Sequence, residues 1–476
     1  MSNKLKLPNN SLSHLDNNMT DLDYQINEIL EVLNLPTQNI ASPVKQRSSV
    51  FKNLEDITNE LNLNKDDAQT KIYISKYVYA ITNGLFDAAL NYLWDAVISK
   101  LKNLIINFDL DYFFNNLDNP KKSSKKDLSQ LSDKDLLSGA KNIDILSEDD
   151  YAELSIIEYK RNKKSAAHEN DRTLTGIEMA EILQQCINHI FNKKISPNII
   201  KTKNLLSAIK DREFNQDDIS IHKQFIENLN VNQIDQLVHG FFGIYVNKNS
   251  TISSTNIKKL IPTLWSHSNE DTKIDIGSKY GQLAIDKGTD NQQTKYAKEF
   301  LEIVNGLSLI PDPIKVGTIK NILEQLINAT NSPNNFYTEP HLVKELDKYL
   351  SENEIPTEIE KQYLSTIIYC YLTNGYGVAW EAEPYYEKIL YSLNNEQAIT
   401  ALKCILDRKV AAKLSLSNSL IEKKFKKFLS IIQDKIINEN YKKFIEFLLN
   451  LNISPIIKYK NDSIFQRDYK KLFEEI

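Results

Sequence analysis

Apolar residues recur at intervals of three and four along most of the chain, which places them on one face of an α-helix. In the clearest case, between residues 64 and 107, two such stripes run side by side. The first contains Phe86, Leu90, Leu93, Val97 and Leu101, and the second contains Trp94, Ile98 and Ile105. A helix with two apolar faces must be covered twice. We therefore predict that this helix packs inside its own domain and also against another domain or subunit.

Amphipathic segments separated by short polar joints continue to the end of the chain. From residue 196 onward they predict a helical array or bundle with no fixed repeat length. Turns are predicted near Pro262, at residues 277–281 and at residues 375–377. A group of lysines predicts a solvated helix face near the C-terminus, and an RNA-docking surface is the alternative. That group comprises Lys423, Lys424, Lys426 and Lys427.

Residues that break helices are scarce. The 476 residues include 12 glycines and 13 prolines, whereas an average chain of this length holds about 33 glycines. This composition argues against β-sandwiches, barrels and glycine-loop nucleotide folds. We predict an all-α protein.

Charge and cysteine usage narrow the function classes further. The formal net charge of −5 provides no global basic field for nucleic acid, so any such site must be local. The three cysteines are widely spaced and no histidines pair at the spacing of metal ligands. We expect neither a metal nor a cofactor. The N-terminus has no apolar signal segment, and no apolar run reaches the roughly 18 residues that cross a membrane. We expect a cytoplasmic protein without a membrane partner.

Two helix starts frame the segment that carries candidate chemistry. Ser147, followed by three acidic residues, predicts an N-cap with charges that suit the helix dipole. Thr175 and Glu178 predict a capping box that begins the next helix. Between these starts lies the sequence Tyr-Lys-Arg-Asn-Lys-Lys-Ser-Ala-Ala-His-Glu-Asn, residues 159–170.

Arg161 and His168 are seven residues apart and therefore share a helix face. They continue a stripe that begins with Leu154 and Ile157 and includes Ser165. Seven residues of helix rise about 10.5 Å, so both side chains of one copy reach a single phosphate only awkwardly. A second copy across a two-fold axis would bring Arg and His pairs together in one cleft. Such a cleft suits RNA cleavage without a metal, by acid–base catalysis and charge stabilisation.

The segment resembles the Arg-polar-(x)-His signature of the HEPN superfamily of helical ribonucleases. The order of helices from about residue 66 to 195 resembles that family as well. The resemblance implies a homodimer with a composite, metal-independent endoribonuclease site acting in antiviral defence, abortive infection or as a toxin. It implies that Arg161 stabilises the scissile phosphate, that His168 is the acid or base, and that Asn162 orients a partner group.

Further residues are candidates to support this site. Four positive charges occur within residues 160–164, and the three lysines are candidate RNA-binding residues. Those lysines are Lys160, Lys163 and Lys164.

Two carboxylates, Asp87 and Asp95, interrupt the apolar helix and are candidate salt-bridge partners or positioning groups for Arg161. His189, on the helix that begins at the Thr175 capping box, is either a satisfied interior histidine or lines the cleft.

We predict four segments along the chain. Residues 1–19 form a flexible tail, 20–65 contain N-terminal helices and a linker over residues 36–49, 66–195 form the HEPN-like domain, and 196–476 form a helical regulatory or recruiting region. The expected partners are RNA, a second copy of the chain, and an antitoxin or regulatory protein. The alternative function is a non-catalytic helical scaffold, or a module that only dimerises or binds nucleotide.

Overall fold

The computed structural model describes residues 11–59, 61, 63, 67–117, 125–164, 174–193, 195–247, 250–350, 354–450 and 463–473. These residues form helices joined by turns and loops, and no strand occurs among them. The all-α prediction is confirmed. The chain divides into two compact units, Met1–Asn269 and Glu270–Ile476. In the described part of the chain, no helix combines the length and apolar character needed to span a bilayer.

The first unit begins with a pair of helices and continues through the segment that holds the candidate motif. A π-helical turn, Ile187–Phe191, follows the ninth helix directly. The helices are α1 (Ser11–Val32), α2 (Val44–Asn59), α3 (Ala68–Thr82), α4 (Phe86–Phe108), α5 (Leu110–Asn115), α6 (Lys125–Gln130), α7 (Asp133–Asn142), α8 (Glu148–Lys164), α9 (Gly176–Cys186), α10 (Pro197–Asp211), α11 (Gln216–Glu227), α12 (Val231–Asn247) and α13 (Thr251–His267).

The second unit is built around one buried helix, α18, which packs against α16, α20 and α21. Short 3₁₀ turns occur at Leu307–Leu309 and Cys404–Leu406. The helices are α14 (Glu270–Lys287), α15 (Gln292–Ile303), α16 (Asp312–Thr330), α17 (Asn335–Asp347), α18 (Glu360–Tyr371), α19 (Glu383–Tyr391), α20 (Asn395–Lys403), α21 (Arg408–Leu414), α22 (Ser419–Gln433), α23 (Glu439–Asn450) and α24 (Ser463–Phe473).

Helix α4 is the predicted doubly apolar helix, and both of its stripes are buried. It packs against α3, α7, α8, α9 and the π-helical turn, all of which belong to the first unit. Leu90 and Val97 of the first stripe are fully buried, and Trp94 of the second is 1% exposed. The expectation that another domain or subunit covers one face is therefore wrong, because neighbours within the unit cover both.

The first unit extends beyond the predicted boundary at residues 195 and 196. Helix α12 lies directly on α5, and a Cβ atom at Gly240 would stand 2.4 Å from the ring of Tyr112. Glycine at this position thus allows the close approach that joins α12 to the motif-bearing bundle. Helices α10 and α11 pack against α13 in the same unit.

The N-terminal segment is more ordered than its polar composition indicates. Helix α1 begins at Ser11, inside the predicted tail, and α2 begins at Val44, inside the predicted linker. Arg47 is only 2% exposed because it pairs with Asp23 at 2.9 Å and donates from Nε to the carbonyl of Ser42 at 2.6 Å. Residues 36–43 of the predicted linker are non-helical, whereas residues 44–49 belong to α2. The sequence does not reveal this because a buried, paired arginine has the same residue type as a solvated one.

Two predicted turns are helical instead. Pro262 lies inside α13, and residues 277–281 lie inside α14. A Cβ atom at Gly277 would stand 2.2 Å from the carbonyl oxygen of Leu309, so the glycine serves close packing rather than a turn. The turn at residues 375–377 is present, and Gly375 has φ of +86°.

A buried ion pair connects the start of α3 to the middle of α4. Lys100 Nζ lies 2.8 Å from a carboxylate oxygen of Asp67, and the two side chains are 8% and 3% exposed. A buried ion pair is only modestly stabilising as a whole, but removal of one partner leaves a desolvated charge. The pair therefore makes the α3–α4 junction sensitive to single substitutions.

We expect Lys100→Ala to lower the free energy of unfolding of the first unit by about 3 to 5 kcal/mol, because Asp67 stays buried without its cation. Urea unfolding in a Trp380→Phe background would measure this, since the two remaining tryptophans, Trp94 and Trp265, then report the first unit alone. Exposed Lys71 on α3 provides the control: Lys71→Ala should cost under about 1 kcal/mol. Similar losses for both alanine variants would contradict the expectation.

Candidate active site

Helix α8 carries the candidate motif, and its start is fixed as predicted. Ser147 Oγ accepts a hydrogen bond from the Asp150 amide at 3.2 Å, and the Asp150 carboxylate accepts one from the Ser147 amide at 2.8 Å. The next helix, α9, begins with the predicted capping box between Thr175 and Glu178. The motif thus lies between two helices whose N-termini are locally specified.

The predicted stripe on α8 is confirmed over its described part. Leu154 and Ile157 are buried at 0% and 2% exposure, and Arg161 continues their face as a half-buried residue. This face packs α8 against α4 and α7. Ser165 and His168 lie outside the described residues, as does the side chain of Lys164.

Two amide side chains hold the guanidinium group of Arg161. Its Nε donates to Asn91 Oδ1 at 3.1 Å, and its Nη1 donates to Asn162 Oδ1 at 2.9 Å. Asn91 lies on α4, so the first bond connects the motif helix to the central helix. Asn162 therefore acts on the arginine of its own chain.

Sequence reasoning missed Asn91. A signal for it exists, because Asn91 stands four residues from both Asp87 and Asp95 on a strongly apolar helix. Residues spaced by four share a helix face. The polar strip on α4 that faces the motif therefore includes an uncharged residue between the two acidic candidates.

Carboxylates approach Arg161 without forming an ion pair with it among the described residues. Burial raises the pKa of Asp95, Arg161 lowers it in part, and Asp133 raises it further. Burial also raises the pKa of Glu158, again with Asp133 raising it and Arg161 lowering it. Asp87 instead accepts a hydrogen bond from the Ala88 amide. Of the two acidic candidates, Asp95 thus lies within electrostatic reach of Arg161.

The described basic candidates lie at the surface of α8. Lys163 and Asn162 are exposed, and Lys160 is half-buried. Exposed lysines add an attractive field for a phosphate backbone and cost little desolvation on binding. The described part of the site therefore has a half-buried guanidinium group with one half-buried and one exposed ammonium group on the same helix.

His189 is a satisfied interior histidine. Its Nδ1 lies 3.1 Å from Asp150 Oδ1, and its Nε2 lies 3.0 Å from Gln185 Oε1. Lys193 also binds the Asp150 carboxylate. Asp150 is in the first turn of α8, eleven residues before Arg161, which corresponds to roughly 16 Å of helix. The structure therefore ties His189 to the opposite end of α8 from the arginine.

An exposed surface on α3 adjoins this site. Ile72 and Tyr79 are 49% and 75% exposed, and Lys76 lies between them on the same helix face. The Lys76 ammonium lies 5.5 Å from the ring centroid of Tyr92, the residue after Asn91. Lys76 and Arg161 both lower the pKa of Asp95, so the α3 surface and the arginine lie near the same carboxylate.

The raised pKa of Asp95 gives a testable pH dependence. The folded protein binds this proton more tightly than the unfolded chain, so the stabilising contribution is complete at pH below the ordinary carboxyl pKa and is lost as pH rises through the folded value. We expect Asp95→Asn to raise the melting temperature at pH 7 and to leave it unchanged near pH 3.5, measured by calorimetry.

The control for this measurement is Glu324→Gln, at an exposed position on α16, which should show no such pH-dependent difference. A lower melting temperature of Asp95→Asn at pH 7 would instead show that the ionised carboxylate stabilises the fold through Arg161.

Among the described residues, no group of three or more His, Cys, Asp or Glu side chains is placed to hold a metal ion. The chemistry open to the described part of the site is that of a positioned guanidinium with nearby ammonium groups. Comparison with protein-family models, with curated proteins and with solved structures found no match for this chain. The resemblance to HEPN ribonucleases therefore depends on the motif and the order of the helices.

Proposed function

We propose that the chain is a metal-independent endoribonuclease of the HEPN type. The observation that carries the proposal is the placement of Arg161, which continues a packed helix face and is held by two neutral amide groups. A guanidinium bonded to neutral acceptors keeps its full charge for a ligand, and planar bidentate binding of phosphate is its usual role. Exposed Lys163 and half-buried Lys160 lie on the same helix and suit the backbone of RNA.

In the proposed reaction, His168 takes the proton of the 2′-hydroxyl or gives a proton to the leaving 5′-oxygen. The 2′-oxygen forms a bond to phosphorus and the bond from phosphorus to the 5′-oxygen breaks, which yields a 2′,3′-cyclic phosphate and a 5′-hydroxyl. Arg161 stabilises the charge that builds on the phosphate oxygens. Asn91 and Asn162 position the guanidinium before RNA binds, so that little ordering remains to be done in the transition state.

A composite site across a homodimer would bring the arginine of one copy near the histidine of the other. We assign the α3 surface formed by Ile72, Lys76 and Tyr79 as part of this dimer contact. Its exposed apolar side chains suit burial against a second copy. The effect of both Lys76 and Arg161 on the pKa of Asp95 supports a contact close to Arg161. The remaining helices would then form a regulatory or recruiting region. The setting would be antiviral defence or a toxin system, and an antitoxin or regulatory protein would be a further partner.

A non-catalytic role as a scaffold, or as a module that dimerises or binds nucleotide, is the second candidate. The observation that favours it is the pair of carboxyl groups, Asp95 and Glu158, that Arg161 influences. Anionic groups close to the arginine weaken the local positive potential that RNA would meet. The two candidates differ in whether RNA is cleaved.

We expect Arg161→Ala and His168→Ala each to lower RNA cleavage in EDTA by at least about 100-fold, because the first removes the group that stabilises the phosphate charge and the second removes the general acid or base. Expression of the wild-type chain should arrest growth, and both variants should relieve the arrest. Matched controls are Arg408→Ala and His267→Ala, which remove exposed residues of the same types and should retain activity. Equal behaviour of all five proteins would favour the scaffold, and loss of cleavage on chelation would contradict the metal-free mechanism.

The composite site makes a separate prediction. Co-expression of Arg161→Ala with His168→Ala should restore part of the cleavage, because a mixed dimer holds one intact arginine facing one intact histidine. The double variant Ile72→Ser, Tyr79→Ser should sediment as a monomer and lose activity, while Ile285→Ser, at a 71% exposed position on α14, should change neither property. An active monomer would contradict the composite site.

A further inference from the structure

The second unit contains a partly open cavity, in which about 240 Å³ is free of protein atoms when the solvent at its opening is included. Side chains from α17, α18, α19 and α22 and from the loop between α18 and α19 surround it. Its polar lining includes two glutamates, two tyrosines, one lysine and one asparagine. These residues are Glu339, Glu383, Tyr371, Tyr386, Lys424 and Asn335.

One polar atom in this lining has no partner. Asn335 is 1% exposed, and its Oδ1 forms no hydrogen bond, while its Nδ2 donates to Glu339 Oε2 at 3.4 Å. The contact to Glu339 fixes the orientation of the amide, so Oδ1 is the unpaired atom. A buried carbonyl without a donor costs free energy. A ligand with an N–H group would remove that cost.

Glu383 shows how the cavity lining holds an ammonium group. The ammonium group of Lys424 pairs with Glu383 and lies 4.8 Å from the ring centroid of Tyr371. A carboxylate and a tyrosine face together thus hold one ammonium ion at the wall. Cation–π attraction adds to the ion pair in such a site. The lysines around Phe425, predicted as a solvated face, therefore include one that lies inside, because Lys424 is 7% exposed.

Glu339, the other glutamate of the cavity, accepts hydrogen bonds from a tyrosine hydroxyl and an amide but pairs with no ammonium group among the described residues. Glu339 is 2% exposed, its Oε1 accepts from the Tyr386 hydroxyl at 2.8 Å, and no ion pair to it is found in the described part of the chain. Burial raises the pKa of Glu339, as expected for a carboxyl whose hydrogen-bond donors are neutral.

The cation that lowers the pKa of Glu339 through space, Lys413, is engaged elsewhere. Lys413 donates to the carbonyl of Tyr369 at 2.7 Å and lies over the ring of that residue. Burial lowers the pKa of Lys413 to about 8. It therefore compensates the charge of Glu339 only through space and forms no direct ion pair with it.

One residue that lines the cavity has a strained backbone. Thr373 has φ of +62°, an unfavourable conformation for a β-branched residue, and such strain concentrates at functional sites.

We infer that this cavity binds a primary alkylammonium group, with the ammonium donating to Asn335 Oδ1 and Glu339. The ligand chemistry has two sources, a free polyamine or a lysine side chain of another protein. The cavity lies wholly within the second unit, so the inference is independent of RNA cleavage by the first.

Calorimetric titration of the full chain with butylamine, putrescine and Nα-acetyl-lysine amide tests the inference. We expect saturable binding of butylamine, and the other two probes assign the source: tighter binding of putrescine indicates a polyamine, and tighter binding of the lysine amide indicates a protein. Butanol, which lacks the charge, and tetramethylammonium, which lacks N–H donors, should each bind at least 10-fold more weakly.

Two substitutions complete the test. Glu339→Gln should weaken butylamine binding at least 10-fold with the fold retained, as judged by the melting temperature, whereas Glu358→Gln, at an exposed position in the same unit, should not. Asn335→Leu, which removes the unpaired acceptor, should also weaken it. Unchanged binding to Glu339→Gln, equal binding of tetramethylammonium, or no saturable signal from butylamine would overturn the inference.

Discussion

The hydrogen bond between Arg161 and Asn91 determines what the motif helix of this protein is able to do. It connects α8 to α4 at the edge of the packed face and fixes the guanidinium with a neutral acceptor. A carboxylate in the place of Asn91 would hold the arginine more strongly but would neutralise it. With an amide, the chain positions the cation and leaves its charge for an anionic ligand, while Asp95 and Glu158 compensate that charge only in part.

The packing of α4 limits how two copies are able to associate. Because α3, α7, α8 and α9 cover both apolar stripes of α4 within one unit, the central helix is not available to a partner. A composite site must therefore use helices at the outside of the bundle. The exposed side chains of α3 meet that requirement and lie near the carboxylate that Arg161 influences. The proposed dimer contact would therefore lie close to the arginine without disturbing the core.

Local rules predicted the parts of this structure that depend on neighbours in sequence. The caps at Ser147 and Thr175 and the stripe from Leu154 to Arg161 follow from hydrogen bonding and periodicity over a few residues. The failures involve contacts between distant residues. Asn91 meets Arg161 across 70 positions, Arg47 is buried by pairing with α1, and Gly277 packs on a later turn. No local pattern distinguishes such residues from solvated ones.

The two units share one electrostatic principle with opposite sign. Arg161 in the first is a cation held by neutral amide oxygens, and Glu339 in the second is a buried carboxyl held by a neutral hydroxyl and an amide. Other buried charges in the described part of the chain are paired directly, as at Lys100 and Asp67 or Lys424 and Glu383. Direct pairing satisfies a charge within the fold, whereas neutral partners orient a charged group and leave most of its field uncompensated. A group oriented in this way binds an opposite charge from outside with little reorganisation. The same argument underlies both proposals, that of a phosphate at Arg161 and that of an ammonium at Glu339.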